Sequence, residues 1–443
     1  MELMDKNLEK IKEEIFEKMV EYYEIKKKNA FIPGKDRINY AGAVFSSKEA
    51  ISMTDSILKG WFGLGQKGRE LDERLSHYLG VSRSILVNSG SSANLLSLAA
   101  LKSNTIDNHL KNEDEIITPA VTFPTTFNPI IQNNLTPVVV DVDTETYNIN
   151  IEGLKGAVTR KTKGIMLPHT LGNPNDMDAI MDIVEDHKLY LIEDNCDALG
   201  SEFDGRRTGS YGILSTCSFY PAHHITMGEG GSISVVEDNI KLYRVIRSLR
   251  DWGRDCWCES DNKSSNGACN RRFEWEIDDT KYDHRYIYSQ VGYNLKPTEI
   301  QAAFGLEQIK RIEEFNEIRK RNFQYLHTNL RNFEEYISFI KIHKKANPAW
   351  FAFPILINED SPFSRDDTIR YLEGKGIQTR LIFAGNITKQ PAYKDVKYKV
   401  HRSLENAESI MKRSFFIGVY PGLDELMLNY IVESFNSFFE GVR

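Results

Sequence analysis

No stretch of this sequence is apolar for long enough to cross a membrane as a helix. Its first residues include Glu2, Asp5, Lys6, Glu9 and Lys10, where a signal peptide would have an apolar centre. Cysteine is scarce, with five in 443 residues. So few cysteines do not make a disulfide scaffold in a chain this long; they point to thiols, core residues or metal ligands. A cytoplasmic location with no membrane partner is the expectation. Basic charge is not in excess either. The net charge is −7, which gives no support for a nucleic-acid partner. No G-x-G-x-x-G follows a β-like run, so bound dinucleotide is not expected. Internal repeats and low-complexity tracts are also missing. What remains is an ordinary globular composition, 41% hydrophobic and 27% charged. The length suits two domains, or one large α/β domain with an appendage.

Along the chain, Leu8 to Lys28 places Leu8, Ile11, Ile15, Met19 and Tyr22 at helical spacing among Lys and Glu. This predicts an amphipathic helix that packs on the body or on a second subunit. Beyond it, β-like runs alternate with helical patterns. The runs are Ser84–Asn88, Glu115–Thr118, Thr136–Val140, Gly164–Leu167 and Leu189–Glu193, and Asp176–Asp186 is one of the helical patterns. Such alternation predicts an α/β fold with a parallel sheet covered by helices, binding ligands at the carboxyl ends of its strands. One long helix is expected from Thr298 to Tyr325, then a β-like segment at Trp350–Ile357 and a helix–strand–helix tail. The expected division is an N-terminal helix and arm over 1–40, a large domain over 41–297 and a smaller α+β domain over 298–443. The polar stretch Glu259–Gly267 reads as a surface loop.

Three segments carry groups suited to a cofactor with a phosphate and an aromatic ring. In Val87–Asn94, V-N-S-G-S-S-A-N, small residues open a helix after a strand. The N–H groups of Gly90 and Ser91 could cradle a phosphate there, although a plain helix cap uses the same residues. In Leu189–Asp197, Asp194 lies just past a buried strand. An acid there can pair with a protonated pyridine nitrogen, or merely cap the next segment. In Thr118–Thr126, Phe123 sits on a loop after another strand, where it could stack on a ring or fill core.

In order and spacing these segments resemble the sugar aminotransferase and dehydratase group of fold type I pyridoxal-phosphate enzymes. The likeness spans nearly the whole chain. It rests on S-G-S-S-A-N, on Glu193–Asp194, and on S-F-Y-P and G-E-G-G between Ser218 and Gly231. It rests also on G-Y-N at Gly292–Asn294 and Q-A-A at Gln301–Ala303. The resemblance implies phosphate contacts from Gly90, Ser91 and Ser218, with Asn294 reaching the phosphate of a neighbouring subunit. It implies Asp194 at the ring nitrogen, Phe123 on the ring face, and a homodimer with its active sites at the subunit interface.

One position departs from the aminotransferases. Counted from S-F-Y-P, the cofactor lysine of the group falls on His223, with His224 beside it. An imidazole cannot hold the cofactor as a Schiff base, but it can move protons near neutral pH. The cofactor would then act as pyridoxamine 5′-phosphate (or pyridoxal 5′-phosphate) held without a covalent bond. The expected chemistry becomes loss of a hydroxyl next to a sugar ketone rather than amino transfer, with His223 as the base. Asp197, where many aminotransferases of the group carry Gln, and Tyr220 would assist it; simple packing or solvated roles use the same residues. His224 and Arg380 receive no firm role.

Cys196, Cys256, Cys258 and Cys269 form the pattern C-x59-C-x-C-x10-C, and Cys217 stands apart as a small buried residue. Four thiolates fit zinc or an iron–sulfur cluster, and by ligand type alone zinc, cluster and no metal stay open. Cys196 lies two residues after Asp194, so a metal there would sit close to the ring. The runs Arg250–Cys258 (R-D-W-G-R-D-C-W-C), Tyr282–Ser289 and Arg380–Asn386 resemble the iron–sulfur branch of the group, the CDP-4-keto-6-deoxy-D-glucose 3-dehydrases. That resemblance implies a 2Fe–2S cluster on the four cysteines and a nucleotide-linked 4-keto-6-deoxyhexose as substrate. It implies a role in 3,6-dideoxyhexose synthesis, with electrons from a separate NAD(P)H-dependent flavin and iron–sulfur reductase. Two alternatives remain: a cluster-free 3-dehydratase of the GDP-mannose branch, and a non-catalytic zinc-stabilised regulator on the same scaffold.

Overall fold

The computed structural model describes residues 2–26, 31–256 and 272–441. Seven strands build the central sheet. They are β1 (Arg83–Val87), β2 (Glu115–Pro119), β3 (Thr136–Val140), β4 (Thr162–Pro168), β5 (Tyr190–Asp194), β6 (Leu214–Ser218) and β7 (Gly231–Val235). Their order is β1-β7-β6-β5-β4-β2-β3, and the short segment Lys399–Val400 adds an eighth strand beside β3. All neighbours run parallel except β7, which is antiparallel to both β1 and β6. The five expected strands are present with ends within two residues of the prediction. β2 and β3 are buried along their whole length, as strands covered on both faces must be.

α1 (Glu2–Lys26) matches the expected amphipathic helix; Lys27 and Lys28 lie outside the described residues. It leans on α2 (Ser47–Leu58), where Lys12 pairs with Asp55 at 3.0 Å. Leu8, Ile11 and Tyr22 nonetheless stay exposed. α3 (Gln66–Leu79) follows, and α4 (Gly90–Leu101) fills the space between the sheet and the helix Ile240–Arg250. The single helix expected from Thr298 to Tyr325 is two, Glu299–Ile309 and Ile312–Leu330. The break falls at Arg311, whose backbone leaves helical angles while its side chain turns to Glu314. Apolar spacing continues across the break, so periodicity did not reveal it.

After these helices, Ile337–Phe339, Ala352–Ile357 and Ser414–Gly418 form an antiparallel sheet in that spatial order. The helices Glu405–Arg413 and Glu425–Glu440 flank the last of these strands in sequence, as the tail pattern predicted. An aromatic-rich core seals this region; Phe323 stacks on Trp350 with ring centroids 3.9 Å apart. The expected loop Glu259–Gly267 lies outside the described residues.

Candidate active site

A cavity of about 900 Å³ opens at the carboxyl ends of β1, β2, β5 and β6. Parallel strands end there together, so the residues just past each of them converge. Gly90, Ser91, Phe123, Asp194, Cys196, Asp197, Ser218, Tyr220 and His223 all line it. Nine positions spread over more than 130 residues of sequence are therefore neighbours in space.

α4 begins at the cavity wall. Ser89 caps it by accepting the N–H of Ser92 at 3.1 Å. The first N–H groups of a helix have no partner within it, which leaves those of Gly90 and Ser91 for an anion. Gly90 must be glycine for a packing reason. A Cβ there would lie 2.6 Å from Ser218 Cβ and 3.1 Å from Cys196 Sγ. The missing side chain brings the helix start against the end of β6.

Alternation along β5 sends Glu193 and Asp194 to opposite faces of the sheet. Asp194 faces the cavity, where its Oδ2 accepts from Asn94 Nδ2 at 2.8 Å and Thr126 Oγ1 at 2.7 Å. Asn94 is in turn fixed by Thr216, whose hydroxyl donates to its Oδ1 at 2.6 Å. Glu193 is fully buried and accepts the N–H groups of Gly209, Tyr211 and Gly212, besides facing His169 Nε2 at 3.1 Å. Burial pushes its carboxyl up, but His169 and the backbone donors outweigh this and hold it below its usual value.

Phe123 precedes α5 (Pro124–Gln132) and stays half exposed over the cavity, touching Phe383 edge-on with centroids 6.1 Å apart. Its exposure sets it apart from the core and leaves a ring face open to the cavity. Tyr220 is also half exposed at the rim. Arg380 lies at the cavity edge with its guanidinium 4.5 Å from the Tyr40 ring centroid.

His223 lies deeper. Its Nδ1 has no hydrogen-bond partner and faces Asp197 Oδ1 at 3.5 Å. Burial disfavours charge on both groups. It drives His223 down to about 3, helped by the positive charge of Arg319, and lifts Asp197 to about 8, with Asp194 nearby adding repulsion. The imidazole is therefore neutral. His224 points away; its Nε2 is 2.9 Å from the Ala349 carbonyl oxygen in a buried setting, so it is structural.

The cavity suits pyridoxamine phosphate. It offers the free N–H groups of Gly90 and Ser91 beside Ser218 for the phosphate and a doubly held carboxylate for the ring nitrogen. It also offers a half-exposed aromatic face and an unpartnered imidazole nitrogen. Two expected site residues are not brought into it. Asn294 is exposed on a loop tied to Asp251 and is absent from its own chain's cavity. Cys256 follows the helix Ile240–Arg250 on a segment laced to residues 287–290 and is also outside the cavity. Cys258 and Cys269 lie outside the described residues. Among the described residues no three His, Cys, Asp or Glu side chains are grouped to hold a metal ion. Cys217 is buried in a hydrophobic cluster, as expected.

Residues 45–436 match the model of the DegT/DnrJ/EryC1/StrS aminotransferase family. The chain belongs to this family. It is 42% identical to a dTDP-4-dehydro-2,6-dideoxy-D-glucose 3-dehydratase of Saccharopolyspora spinosa, covering 96% of this chain and 92% of that protein. It is 44% identical to the lipopolysaccharide biosynthesis protein RfbH of Salmonella typhimurium, over 92% and 93% of the two chains. Among solved structures, an E. coli GDP-4-keto-6-deoxy-D-mannose-3-dehydratase with bound hydrated PLP superposes with a TM-score of 0.80. That match has 32% identity and covers 90% of this chain and 99% of the other. The fold is thus the fold type I architecture of this family.

Sequence reasoning missed Asn94, Thr126 and Arg319. Asn94 and Thr126 sit inside motifs that were read for other residues, and only their contact with Asp194 reveals them. Arg319 lies in an R-K-R run that reads as a solvated face, and no local signal separates it from its neighbours.

Proposed function

We propose that this family member is a pyridoxamine-phosphate-dependent 3-dehydratase acting on a nucleotide-linked 4-keto-6-deoxyhexose in deoxysugar synthesis, with the CDP-glucose derivative as substrate. The observation that carries the reading is His223 in the place of the cofactor lysine, neutral, facing Asp197 and lining the cavity. The 3-dehydratase names of two relatives at 42% and 32% identity support the reaction class. They name dTDP and GDP sugars, so the nucleotide rests on the sequence likeness alone.

When bound, pyridoxamine phosphate supplies an amine for the sugar ketone and a ring that accepts electrons. Gly90, Ser91 and Ser218 would hold the phosphate. Asp194, kept in place by Asn94 and Thr126, would hold the proton on the ring nitrogen, and Phe123 would fix the ring plane. His223 would take a proton at the cofactor's 4′ carbon, and Tyr220 at the rim would assist it. Asp197 orients the imidazole. Asn294, exposed and away from its own cavity, would serve the site of a second copy in a homodimer.

Cys196, Cys256, Cys258 and Cys269 would hold a 2Fe–2S cluster, supported by the C-x-C pair and by Cys196 in the cavity wall beside Gly90. Such a cluster supplies single electrons, drawn from a separate NAD(P)H-dependent flavin and iron–sulfur reductase.

The test is anaerobic purification followed by iron and acid-labile sulfide analysis, an absorption spectrum, and turnover of CDP-4-keto-6-deoxy-D-glucose with such a reductase. About two irons and two sulfides per chain are expected, with a pyridoxamine band. Zinc without sulfide would make the cysteines structural. Neither metal, with dehydration intact, would place the chain with the cluster-free enzymes.

A further inference from the structure

Arg319, Lys320 and Arg321 are consecutive on the helix Ile312–Leu330, yet only Arg319 falls on the face that also buries Phe315 and Phe323. Its side chain is 1% exposed. Nη1 donates to the carbonyls of Trp350 at 3.2 Å and Phe351 at 3.1 Å, and Nη2 donates to the carbonyl of His223 at 2.9 Å. Its Nε has no acceptor, and among the described residues it makes no ion pair. Burying a guanidinium on these terms is costly. A methionine would fill the same space without the desolvation penalty. A rigid fork of donors does what a methionine cannot, joining carbonyls from two separate segments at fixed angles.

The two segments are the two walls around the imidazole. The Phe351 ring lies 5.3 Å from the His223 ring. The Phe351 N–H donates to the Leu171 carbonyl at 2.9 Å, and the Leu171 N–H lies near enough to the Asp197 carboxyl to favour its charged form. Asp197 faces His223 Nδ1. The contacts therefore close into a circuit: Arg319 to the His223 main chain, the His223 ring to Asp197, Asp197 to Leu171, Leu171 to Phe351, and Phe351 back to Arg319. Leu171 has a φ of 55°, a backbone geometry that a non-glycine residue keeps only where its surroundings enforce it.

We propose that Arg319 is a positioning residue for the reaction: it clamps the main chain of His223 to that of Trp350 and Phe351 and so holds the imidazole between Asp197 and Phe351 at the cavity wall. This rests on the reading of His223 as the proton carrier. Arg319 touches neither the cavity nor a bound group; it acts through the backbone of the residue that does. A displacement of the imidazole by about 1 Å is enough to cost roughly 10²-fold in rate.

The test compares Arg319→Met, Arg319→Lys and His223→Asn with wild type. In cofactor-free protein, carbethoxylation of His223 by diethyl pyrocarbonate is followed by peptide mass spectrometry, with buried His224 as internal reference. In protein loaded with pyridoxamine phosphate carrying deuterium at the 4′ carbon, turnover is measured on whichever of the CDP-, dTDP- or GDP-linked 4-keto-6-deoxyhexoses wild type accepts. Arg319→Met is expected to lower kcat by about 10²-fold with KM within about threefold. It should enlarge the deuterium isotope effect and speed labelling of His223 but not of His224. Arg319→Lys should recover part of each, and it carries the test by itself if the methionine variant does not fold. The clamp is overturned if His223→Asn is inactive while both Arg319 variants keep wild-type kcat, isotope effect and labelling. It is overturned too if Lys and Met variants lose kcat and melting temperature alike. If no substrate is turned over, or His223→Asn is as active as wild type, the proton-carrier reading fails and the clamp falls with it.

Discussion

At the scale of single residues, the reading of the site turns on His223, which stands where the resemblance to the aminotransferases expects a lysine. His223 is held neutral by burial and by the Arg319 charge, and it lines the cavity. His224, one residue on, is spent on the Ala349 carbonyl. Replacing His223 by Asn should lower kcat by at least about 10²-fold, the usual contribution of a general base. The bound cofactor's absorption band should persist, because Asp194, Ser218 and the α4 start are untouched. Stopped-flow and steady-state rates on loaded protein check this. Gly90 is the second decisive residue. Gly90→Val puts branches where even a Cβ meets Ser218 at 2.6 Å. The helix start must move away from β6, and pyridoxamine phosphate affinity should fall by at least about tenfold, read by fluorescence titration.

At the scale of elements, β5 does two jobs with two adjacent carboxylates. Asp194 serves the cavity; Glu193 pins the loop 209–212 and His169 on the other face. Replacing Glu193 by Gln turns acceptor-only oxygens into an amide facing buried N–H donors. The cost should be about 3–5 kcal/mol at pH 7. The pH dependence follows from the direction of its shift. A carboxyl held below its ordinary value stabilises the fold fully above that value. That contribution is lost as pH falls through the lower, folded value. Denaturant midpoints of wild type and Glu193→Gln should therefore differ most at neutral pH and converge in acid.

For the whole molecule, the placement of Asn294 sets the expectation. It is exposed and remote from its own cavity, so a homodimer with shared sites predicts complementation. Mixing His223→Asn with Asn294→Ala chains, each nearly inactive alone, should restore about a quarter of wild-type activity after subunit exchange. Half of the dimers are then hybrids, each with one intact site. Separate sites within each chain would give no recovery.

Much of this was legible in sequence for a physical reason. Strands buried on both faces carry short apolar runs, Ile116–Ile117 in β2 and Pro137–Val140 in β3, and small residues after a strand leave room for a ligand at the helix start that follows. That is why Gly90, Ser91, Phe123, Asp194, Asp197, Ser218, Tyr220 and His223 could be named and then found on one cavity. The break at Arg311 and the antiparallel course of β7 were not legible. Apolar spacing runs through the first, and a strand reading Gly-Ser-Ile-Ser-Val does not announce its direction.

By itself, the sequence determined the family, the α/β class, the paired histidines after S-F-Y-P and the thiol pattern, because each is a matter of residue type at a local spacing. The tertiary structure alone decided which polar residues serve the site from a distance. Arg319 lies 96 positions from His223 and looks like its charged neighbours, and only packing tells the buried guanidinium from the solvated ones. Asn94 and Thr126 came to Asp194 in the same way, through convergence of strand ends that no local pattern encodes.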